Sequence, residues 1–403
     1  MGQEKNNSGP IPSTFDLIET VDGLADFVRS ARKADILAVD LEADSMFHYR
    51  EKVCLIQMAA NGRTVVVDPL KVEDLSALRP LFDDERICKV FHGADYDVRS
   101  LYRDFDITIN NLFDTQLASM YLGYSETSLE AVVAHRFGVS LDKRFQKKDW
   151  SCRPLPPEMV SYAASDVVYL IPMAKAMQRE LADKGRLAWV EGNCRQLSRV
   201  RPQDNGQPMF LKIRGAGRLT PRQLAVLEEL LQLRDRLARH KDRPHFKIIN
   251  NAALLKIATT LPADLTSLQA SNALSKKQAD MYGHAILAAV EKARNLSASQ
   301  LPTYPHQRSP RLSPRIPRRI NALRDWRDAL AAELNLDPPL LLNKALMSDI
   351  AVRRPKDIES LREIESMQQW PGGGLRPPGD RHHLAPALTR GQQPERSMHG
   401  RRG

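Results

Sequence analysis

Two acidic residues close an otherwise apolar stretch near the start of the chain. In ILAVDLEADS, residues 36–45, Asp40 and Glu42 follow a run rich in strand-forming residues. Because side chains alternate faces along a strand, both carboxylates project from one face while Leu41 points to the other. Two like charges so close are unfavourable unless a cation lies between them, and acidic oxygen ligands suit Mg²⁺ or Mn²⁺. The pair predicts a metal site, although a strand end at which both acids merely reach solvent would give the same pattern.

A third acid lies at the start of a predicted helix. In ICKVFHGADYDVRSL, residues 87–101, a strand ends at His92 and a helix begins near Ala94. Asp97 is the acid that faces inward, because Leu101 follows it one helical turn later. The negative charge of Asp95 instead interacts favourably with the positive, N-terminal end of the helix dipole. We expect His92 to be a structural hydrogen-bonding residue rather than a metal ligand.

A tyrosine and a fourth acid share one face of a later helix. In EMVSYAASDVVYL, residues 158–170, Tyr162 and Asp166 are four positions apart, which is about one helical turn. Their neighbours are small or apolar, so a polar pair on this face indicates a functional site. A buried hydrogen bond between a tyrosine and a carboxylate is the alternative for this segment on its own.

The elements that must position these residues alternate between strands and helices up to about residue 200. Runs of β-branched residues predict strands at ILAVDL, VCLIQMAA, TVVVDP and ICKVFHG, with a short fifth strand at NLFDT. The turn signal NGR between the second and third runs predicts an antiparallel hairpin. VEDLSALRPLF and ADYDVRSLYRDF have helical spacing. We therefore expect a mixed α/β sheet with helices on its faces.

The second half of the chain is helical and contains an internal repeat. A polar stretch with Gly and Pro, residues 201–217, is predicted to be a linker. Beyond it, a shift of 93 positions aligns Arg234 with Arg327 and Asn250 with Asn343, together with several apolar residues. One ungapped offset at all these positions indicates two copies of a small helical module. A Pro-rich basic linker, residues 299–317, separates the copies, and a Gly- and Arg-rich tail, residues 371–403, is expected to be disordered.

Charge is distributed unevenly along the 403 residues. Residues 1–200 contain 25 Lys and Arg against 30 Asp and Glu, whereas residues 201–403 contain 34 against 19. This asymmetry predicts a polyanionic partner that the C-terminal half holds. The four cysteines are scattered, no apolar run reaches the roughly 18 residues of a membrane span, and the N-terminus lacks a signal-peptide core. These features predict a cytoplasmic protein without a membrane partner.

The Asp-x-Glu pair, the acid that opens a helix and the later Tyr-x-x-x-Asp together resemble the tyrosine branch of the DEDD exonuclease superfamily. The segments VCLIQMA, KVFHGADYDVRSL, LFDTQLASMYLG and KKDWSCRPLPPEMVSYAASDVVYL are similar to the ribonuclease D family. Residues 219–296 resemble an HRDC domain, a module that this family shares with RecQ-type helicases. The resemblance covers roughly residues 14–370. It implies a ribonuclease H-like mixed-sheet exonuclease domain over 14–200 and two all-α HRDC-type modules, over 218–298 and 318–370.

The resemblance also implies a role for each site residue. The family's four carboxylates and its tyrosine fall on Asp40, Glu42, Asp97, Asp166 and Tyr162. They are expected to hold two divalent metal ions, Mg²⁺ or Mn²⁺, with Asp40 bridging both, Glu42 and Asp166 completing the first site, and Asp97 holding the second. The tyrosine is expected to orient the attacking water.

Three further positions complete the resemblance. Leu41 stands where many bacterial members of the family have Thr, but its side chain points away from the acids, so we expect no effect on activity. Asp114, in FDTQ, is expected to be structural. The KKDW segment, residues 147–150, is expected to approach the nucleic acid or the mouth of the site.

The activity implied by the resemblance is hydrolysis of RNA from its 3′ end, with release of nucleoside 5′-monophosphates. The implied substrates are structured RNAs, especially transfer-RNA precursors with 3′ overhangs, and the protein is expected to be a monomer. Two other functions remain open at this point. A DNA 3′–5′ exonuclease would use the same acids, and a non-catalytic RNA-binding scaffold is disfavoured because all four acids and the tyrosine are present.

Overall fold

The first half of the chain forms a six-stranded mixed sheet. The computed structural model describes residues 14–202, 206–305, 313, 315–355, 357, 360, 361, 363 and 364. The strands are β1 Asp16–Ile18, β2 Ile36–Ala43, β3 Val53–Ala60, β4 Arg63–Val67, β5 Cys88–Phe91 and β6 Leu112–Asp114, and their order across the sheet is β1-β4-β3-β2-β5-β6. Strand β3 is antiparallel to β2 and β4, and all other neighbours are parallel. The predicted mixed sheet and its β3–β4 hairpin are therefore confirmed.

The described residues of this half form eight α-helices. They are α1 Val21–Ala31, α2 Arg79–Asp83, α3 Asp95–Phe105, α4 Thr115–Leu122, α5 Leu129–Phe137, α6 Pro157–Asp166, α7 Leu170–Asp183 and α8 Leu187–Leu197. Leu41, Ile56 and Val67 belong to the main core on one face of the central strands. On the other face, Leu55 and Val66 belong to a separate cluster with apolar residues of α6. The acids of β2 therefore lie on the face that α6 covers.

The repeat found in the sequence is a structural repeat. The first helical module contains α9 Pro221–His240, α10 His245–Ile248, α11 Asn251–Thr260, α12 Leu265–Ala270 and α13 Lys276–Arg294, and the second contains α14 Arg315–Leu334, α15 Pro338–Leu341 and α16 Lys344–Arg353. Asn250 caps α11 and Asn343 caps α16, each by accepting a hydrogen bond from the backbone N–H three residues later. Arg234 and Arg327 each donate to a backbone carbonyl fifteen residues later. The two modules thus share their capping and their buried arginine contacts.

The predicted linker at 201–217 differs from a simple connection. Two 3₁₀ turns, Met209–Lys212 and Ala216–Arg218, bury Phe210, Ile213 and Ala216 in the core of the first module. Burial of the apolar residues in MFLKI stabilises this ordered segment, because their side chains leave water. Helix α14 also begins inside the predicted linker at 299–317, of which residues 306–312 and 314 lie outside the described residues, as does the predicted tail at 371–403.

The second helical module packs against the sheet domain. Ala331, Leu336 and Leu341 belong to the same core cluster as the sheet. Arg186, at the start of α8, donates to the backbone carbonyls of Tyr121 at 2.8 Å and Leu334 at 2.7 Å. The Arg186 guanidinium therefore connects α4 of the sheet domain with α14 of the second helical module. In the described part of the chain, no helix has the length and apolar character that a membrane span needs.

Candidate active site

The register of the central strands determines the direction of the first two acids. Asp40 lies directly opposite Gln57 on β3, and Glu42 lies opposite Leu55. Side chains of directly opposed residues share one face of a sheet, so Asp40, Glu42 and Gln57 all face α6. The register then shifts between Glu42 and Ala43. This irregularity ends the regular pairing where the strand leaves the sheet.

Asp97 is positioned by a second, structural carboxylate. The buried side chain of Asp114 accepts hydrogen bonds from the backbone N–H groups of Gly93 at 3.0 Å and Ala94 at 2.9 Å, just before α3. It also accepts from the backbone N–H groups of residues 116 and 117, which begin α4. One carboxylate therefore fixes the starts of two helices and, with them, the buried Asp97 in the first turn of α3. The predicted structural role of Asp114 agrees with these four contacts.

His92 is held on both sides of its ring. Its Nδ1 lies 2.9 Å from Thr115 Oγ1, and its Nε2 lies 2.8 Å from the carbonyl oxygen of Thr127. Burial lowers the pKa of the imidazole. With both nitrogens engaged, His92 is a structural residue, as its position at a strand end predicted.

Helix α6 brings the tyrosine and the fourth acid above the sheet. The ring of Tyr162 packs against Trp150, with centroids 6.0 Å apart, and against Phe145, with centroids 5.7 Å apart. Asp166 is the last residue of α6 and is buried. The KKDW segment therefore contributes Trp150, which is buried and supports the tyrosine ring.

An ion pair attaches this segment to the sheet. Arg153 donates from Nε to Asp68 Oδ2 and from Nη2 to Asp68 Oδ1, both at 2.7 Å, and the aspartate is buried just after β4. The same guanidinium donates to the backbone carbonyl of Trp150 at 2.7 Å. Two parallel hydrogen bonds fix orientation as well as distance. Arg153 therefore holds in place the backbone of Trp150, the residue that packs against Tyr162.

The four acids influence one another's protonation, which shows that they share one space. Burial, followed by the charges of Asp40, Asp166 and Asp97, raises the pKa of Glu42 to about 10. Burial raises the pKa of Asp40 to about 7. Burial and then the charge of Asp40 raise the pKa of Asp166 to about 8, and the same two causes hold the pKa of Asp97 well above its usual range. Without cations, these carboxyl groups resist ionisation at neutral pH.

The donors of this cluster fit a hard divalent cation. All four candidate ligands offer carboxylate oxygens, the ligand type that Mg²⁺ and Mn²⁺ prefer. In the part of the chain that the structure describes, no three acidic, histidine or cysteine side chains form a ready-made coordination set. The arrangement is a cluster of buried acids whose ionised forms a cation would favour.

Every residue that the sequence singled out for the site lies in this cluster, and their catalytic roles stay predictions. One neighbour was not singled out. Gln57 is 0% exposed, and both atoms of its amide lack a hydrogen-bond partner among the described residues. The available signal was a polar residue inside the apolar strand VCLIQMAA. Its significance depends on the pairing with Asp40, which the sequence does not reveal.

Comparison with known proteins agrees with this geometry. A family model described as 3′-5′ exonuclease matches residues 15–182, and the HRDC domain model matches residues 223–290 and 317–371. Ribonuclease D of Gluconacetobacter diazotrophicus is 31% identical over 86% of this chain and 88% of its own length. The crystal structure of Escherichia coli RNase D, described as an exoribonuclease involved in structured RNA processing, is 26% identical, with a TM-score of 0.71 over 94% of this chain and 98% of that one. The catalytic core of RRP6 from Trypanosoma brucei is 30% identical, with a TM-score of 0.59 over 71% of this chain and 81% of that one.

The match to ribonuclease D extends through both helical modules, so it includes the whole architecture and not the nuclease fold alone. Enzymes of this class are metal-dependent nucleases. The chain belongs to the ribonuclease D family of 3′–5′ exoribonucleases.

Proposed function

We propose that the chain trims 3′ extensions from structured RNAs, transfer-RNA precursors among them, and releases nucleoside 5′-monophosphates. The observation that carries this proposal is the convergence of four acids and a tyrosine on the face of the sheet that α6 covers. The helical modules support a nucleic-acid substrate, because the second half of the chain holds 34 Lys and Arg against 19 Asp and Glu, and the similarity to ribonuclease D supports RNA. Binding through phosphates should therefore weaken steeply as salt rises.

Asp40, Glu42, Asp97 and Asp166 would hold two divalent ions, Mg²⁺ or Mn²⁺. Two such ions, when bound, supply an activated water and stabilise the leaving 3′-oxygen of the phosphodiester. The residues themselves supply the charge and the placement. Burial is the largest cause of their raised pKa values, and the charge of Asp40 adds to it for Glu42 and Asp166, so a bound cation would favour the ionised form of each acid.

Tyr162 would orient the attacking water through its hydroxyl group. Burial and the neighbouring charges of Asp166 and Glu42 raise the pKa of this hydroxyl above its usual range, so it keeps its proton and acts as a donor at neutral pH. Its ring is held between Trp150 and Phe145, which limits the positions that the hydroxyl can take. Such fixed orientation of a reacting group lowers the barrier.

A cleavage assay tests this function. A 5′-labelled RNA stem with a single-stranded 3′ overhang would be incubated with the protein and Mg²⁺ or Mn²⁺, beside an Asp40→Asn variant and a DNA of the same sequence. We expect a ladder that shortens from the 3′ end, together with nucleoside 5′-monophosphates in chromatography. Chelator and the substitution should both abolish it.

Two results would contradict the proposal in different ways. Intact RNA beside digested DNA would identify a DNA exonuclease. RNA that is bound but never cut, under any of these conditions, would identify a scaffold. Transfer-RNA precursors compared with an unrelated stem of equal overhang would show whether the transfer-RNA body is itself preferred.

A further inference from the structure

Exposed apolar side chains lie on segments that contact one another where the sheet domain meets the first helical module. Met46 is 47% exposed, Phe246 is 50% exposed and Met281 is 48% exposed. Single exposed apolar residues are ordinary, but a group beside cationic groups indicates a binding surface. We call this surface the junction patch and define it as Met46, Phe47, Lys241, Phe246, Lys247 and Met281.

The two sides of the patch are joined by hydrogen bonds from the loop that follows β2. His48 Nδ1 lies 2.6 Å from Asp242 Oδ2, and the Tyr49 backbone N–H donates to Asp242 Oδ1 at 3.1 Å. The Tyr49 hydroxyl donates to Asp235 Oδ1 at 2.8 Å. These contacts hold the loop that carries Met46 and Phe47 against the segment that runs from Lys241 into α10, which contains Phe246.

Both lysines of the patch rest on apolar groups instead of on carboxylates. Lys247 Nζ lies 4.3 Å from the centroid of the Phe47 ring. Lys241 Nζ lies 5.4 Å from the Tyr282 ring centroid and 3.7 Å from Met281 Sδ. Among the described residues, neither ammonium group has a carboxylate within ion-pair distance. The nearby Asp242 carboxylate already accepts from the His48 loop, so positive charge remains available for an anionic ligand.

The patch lies next to the residues that pack against the candidate active site. His48 Nε2 lies 2.9 Å from Ser151 Oγ, and the preceding residue, Trp150, packs against Tyr162. A strand of nucleic acid whose 3′ end reaches Tyr162 would therefore have the junction patch on its upstream side.

We propose that the junction patch binds the single-stranded RNA upstream of the scissile nucleotide. Lys241 and Lys247 contact phosphates, and the exposed faces of Phe246, Met46 and Met281 receive bases. Cationic groups interleaved with stacking surfaces form the arrangement that binds single strands without reading their sequence. The proposal rests on the proposed ribonuclease function and adds a binding site outside the catalytic cluster.

The test compares substrates that do and do not reach the patch. Phe246→Ala and the double variant Lys241→Gln/Lys247→Gln would be assayed on an unstructured RNA of roughly twelve nucleotides and on a trinucleotide. We expect KM for the longer RNA to rise about tenfold or more, because stacking and phosphate contacts are lost. We expect kcat/KM on the trinucleotide to stay unchanged. Anisotropy of the labelled longer RNA without metal should show the same loss of affinity.

Arg32→Gln/Lys33→Gln is the matched control, since it removes the same charge beside the opposite end of β2. If RNA affinity falls equally in this control and in the lysine variant, the effect is due to net charge alone, and the proposal is overturned. Unchanged KM in all patch variants would also overturn it and would leave a protein partner as the occupant. If the wild-type enzyme cuts neither RNA, the failure lies with the proposed function and not with the patch, whose RNA affinity is measured separately.

Gln57 carries a second, independent inference. Its side chain is buried opposite Asp40, yet neither its amide nitrogen nor its amide oxygen has a partner within the described part of the chain. A buried amide without partners costs stability, so an apolar side chain would suit the unliganded fold better. We infer that Gln57 is a positioning residue, whose amide donates to the Asp40 carboxylate when that carboxylate holds a cation.

Gln57→Leu separates this role from an ordinary core role. We expect the metal-free variant to unfold at the same temperature as the wild type or higher, while calorimetry shows Mn²⁺ binding about tenfold weaker or worse. Leu55→Ala, in the same strand and on the same face, should do the reverse by lowering the unfolding temperature and leaving Mn²⁺ affinity unchanged. A Gln57→Leu variant that is less stable but binds Mn²⁺ normally would overturn the inference. Absence of Mn²⁺ binding in the wild type would instead refute the proposed metal site.

Discussion

Asp40, on the central strand of the sheet, lies close enough to Asp166, at the end of the helix above it, for its charge to raise the pKa of that second acid. Burial is the larger cause for both, and it brings the pKa of Asp40 to about 7 and that of Asp166 to about 8. Folding therefore buries both acids and disfavours their ionised forms, which a bound cation would favour.

The metal-free protein should lose stability as pH rises. The folded pKa values of Asp40 and Asp166 lie above the unfolded value of roughly 4, so the native state binds more protons than the unfolded state between about pH 4 and pH 8. The contribution is fully present below that window and is lost as pH rises through it, by at most about 1.4 kcal/mol per pH unit for each group. Denaturant unfolding measured from about pH 5 to pH 8 should show a steeper fall in the wild type than in Asp166→Asn. Equal slopes would mean that these acids titrate normally.

Divalent ions should reverse this loss. Mn²⁺ binds the ionised carboxylates, so it competes with protons and stabilises the protein more near pH 8 than near pH 5. Thermal unfolding with and without Mn²⁺ at both pH values measures the difference. Asp97→Asn should reduce the Mn²⁺-dependent rise in unfolding temperature, whereas Asp95→Asn, on the exposed side of the same helical turn, should leave it unchanged. An equal response of the two variants would argue against Asp97 as a ligand.

Tyr162→Phe should lower the rate without weakening metal binding. The phenyl ring keeps its packing against Trp150 and Phe145 and loses only the hydroxyl that orients the water. We expect single-turnover cleavage to slow by roughly a hundredfold or more. Tyr169→Phe is the matched control, because it removes the same atom from a buried tyrosine that lies beyond the end of α6. A normal rate for Tyr162→Phe would remove the tyrosine from the mechanism.

Asp68→Ala should be among the most destabilising single substitutions near the site. It leaves the Arg153 guanidinium without its bidentate partner, and breaking such a buried pair costs about 3 kcal/mol or more of unfolding free energy. Because Arg153 also holds the backbone of Trp150, activity should fall as well. Glu19→Ala removes the exposed pair with Lys71 and should cost less than about 1 kcal/mol. Denaturant unfolding of both variants compares the two costs, and similar values would show that the Asp68 pair is worth no more than a surface pair.

Local pattern in the sequence was enough for most of the fold that surrounds the site. The alternation around Asp40 and the Asn-Gly turn after β3 predicted strands and a hairpin that the structure contains. The repeat was visible because capping residues such as Asn250 recur at one offset. Strand β1 was missed, since three residues paired with a single neighbour leave too short a pattern.

What the sequence did not reveal depends on contacts between distant residues. The apolar side chain of Phe210 sits in a polar stretch, and only the neighbouring module shows that it is buried. The bond between His48 and Asp242 joins residues 194 positions apart, and no local rule predicts it. The position of Gln57 beside Asp40 depends on the strand register, because a slip of one position would turn its side chain to the other face of the sheet.

Arg186 has a consequence for how the protein is made. This residue is 8% exposed, and one of its two backbone acceptors belongs to the final turn of α14, in the second helical module. Ala331, Leu336 and Leu341, from the same module, complete the apolar core of the sheet domain. During synthesis, the sheet domain leaves the ribosome before these residues exist, with the Arg186 guanidinium missing one of its two acceptors and part of the core open to water. The catalytic half therefore reaches its full stability only after translation has passed the second module.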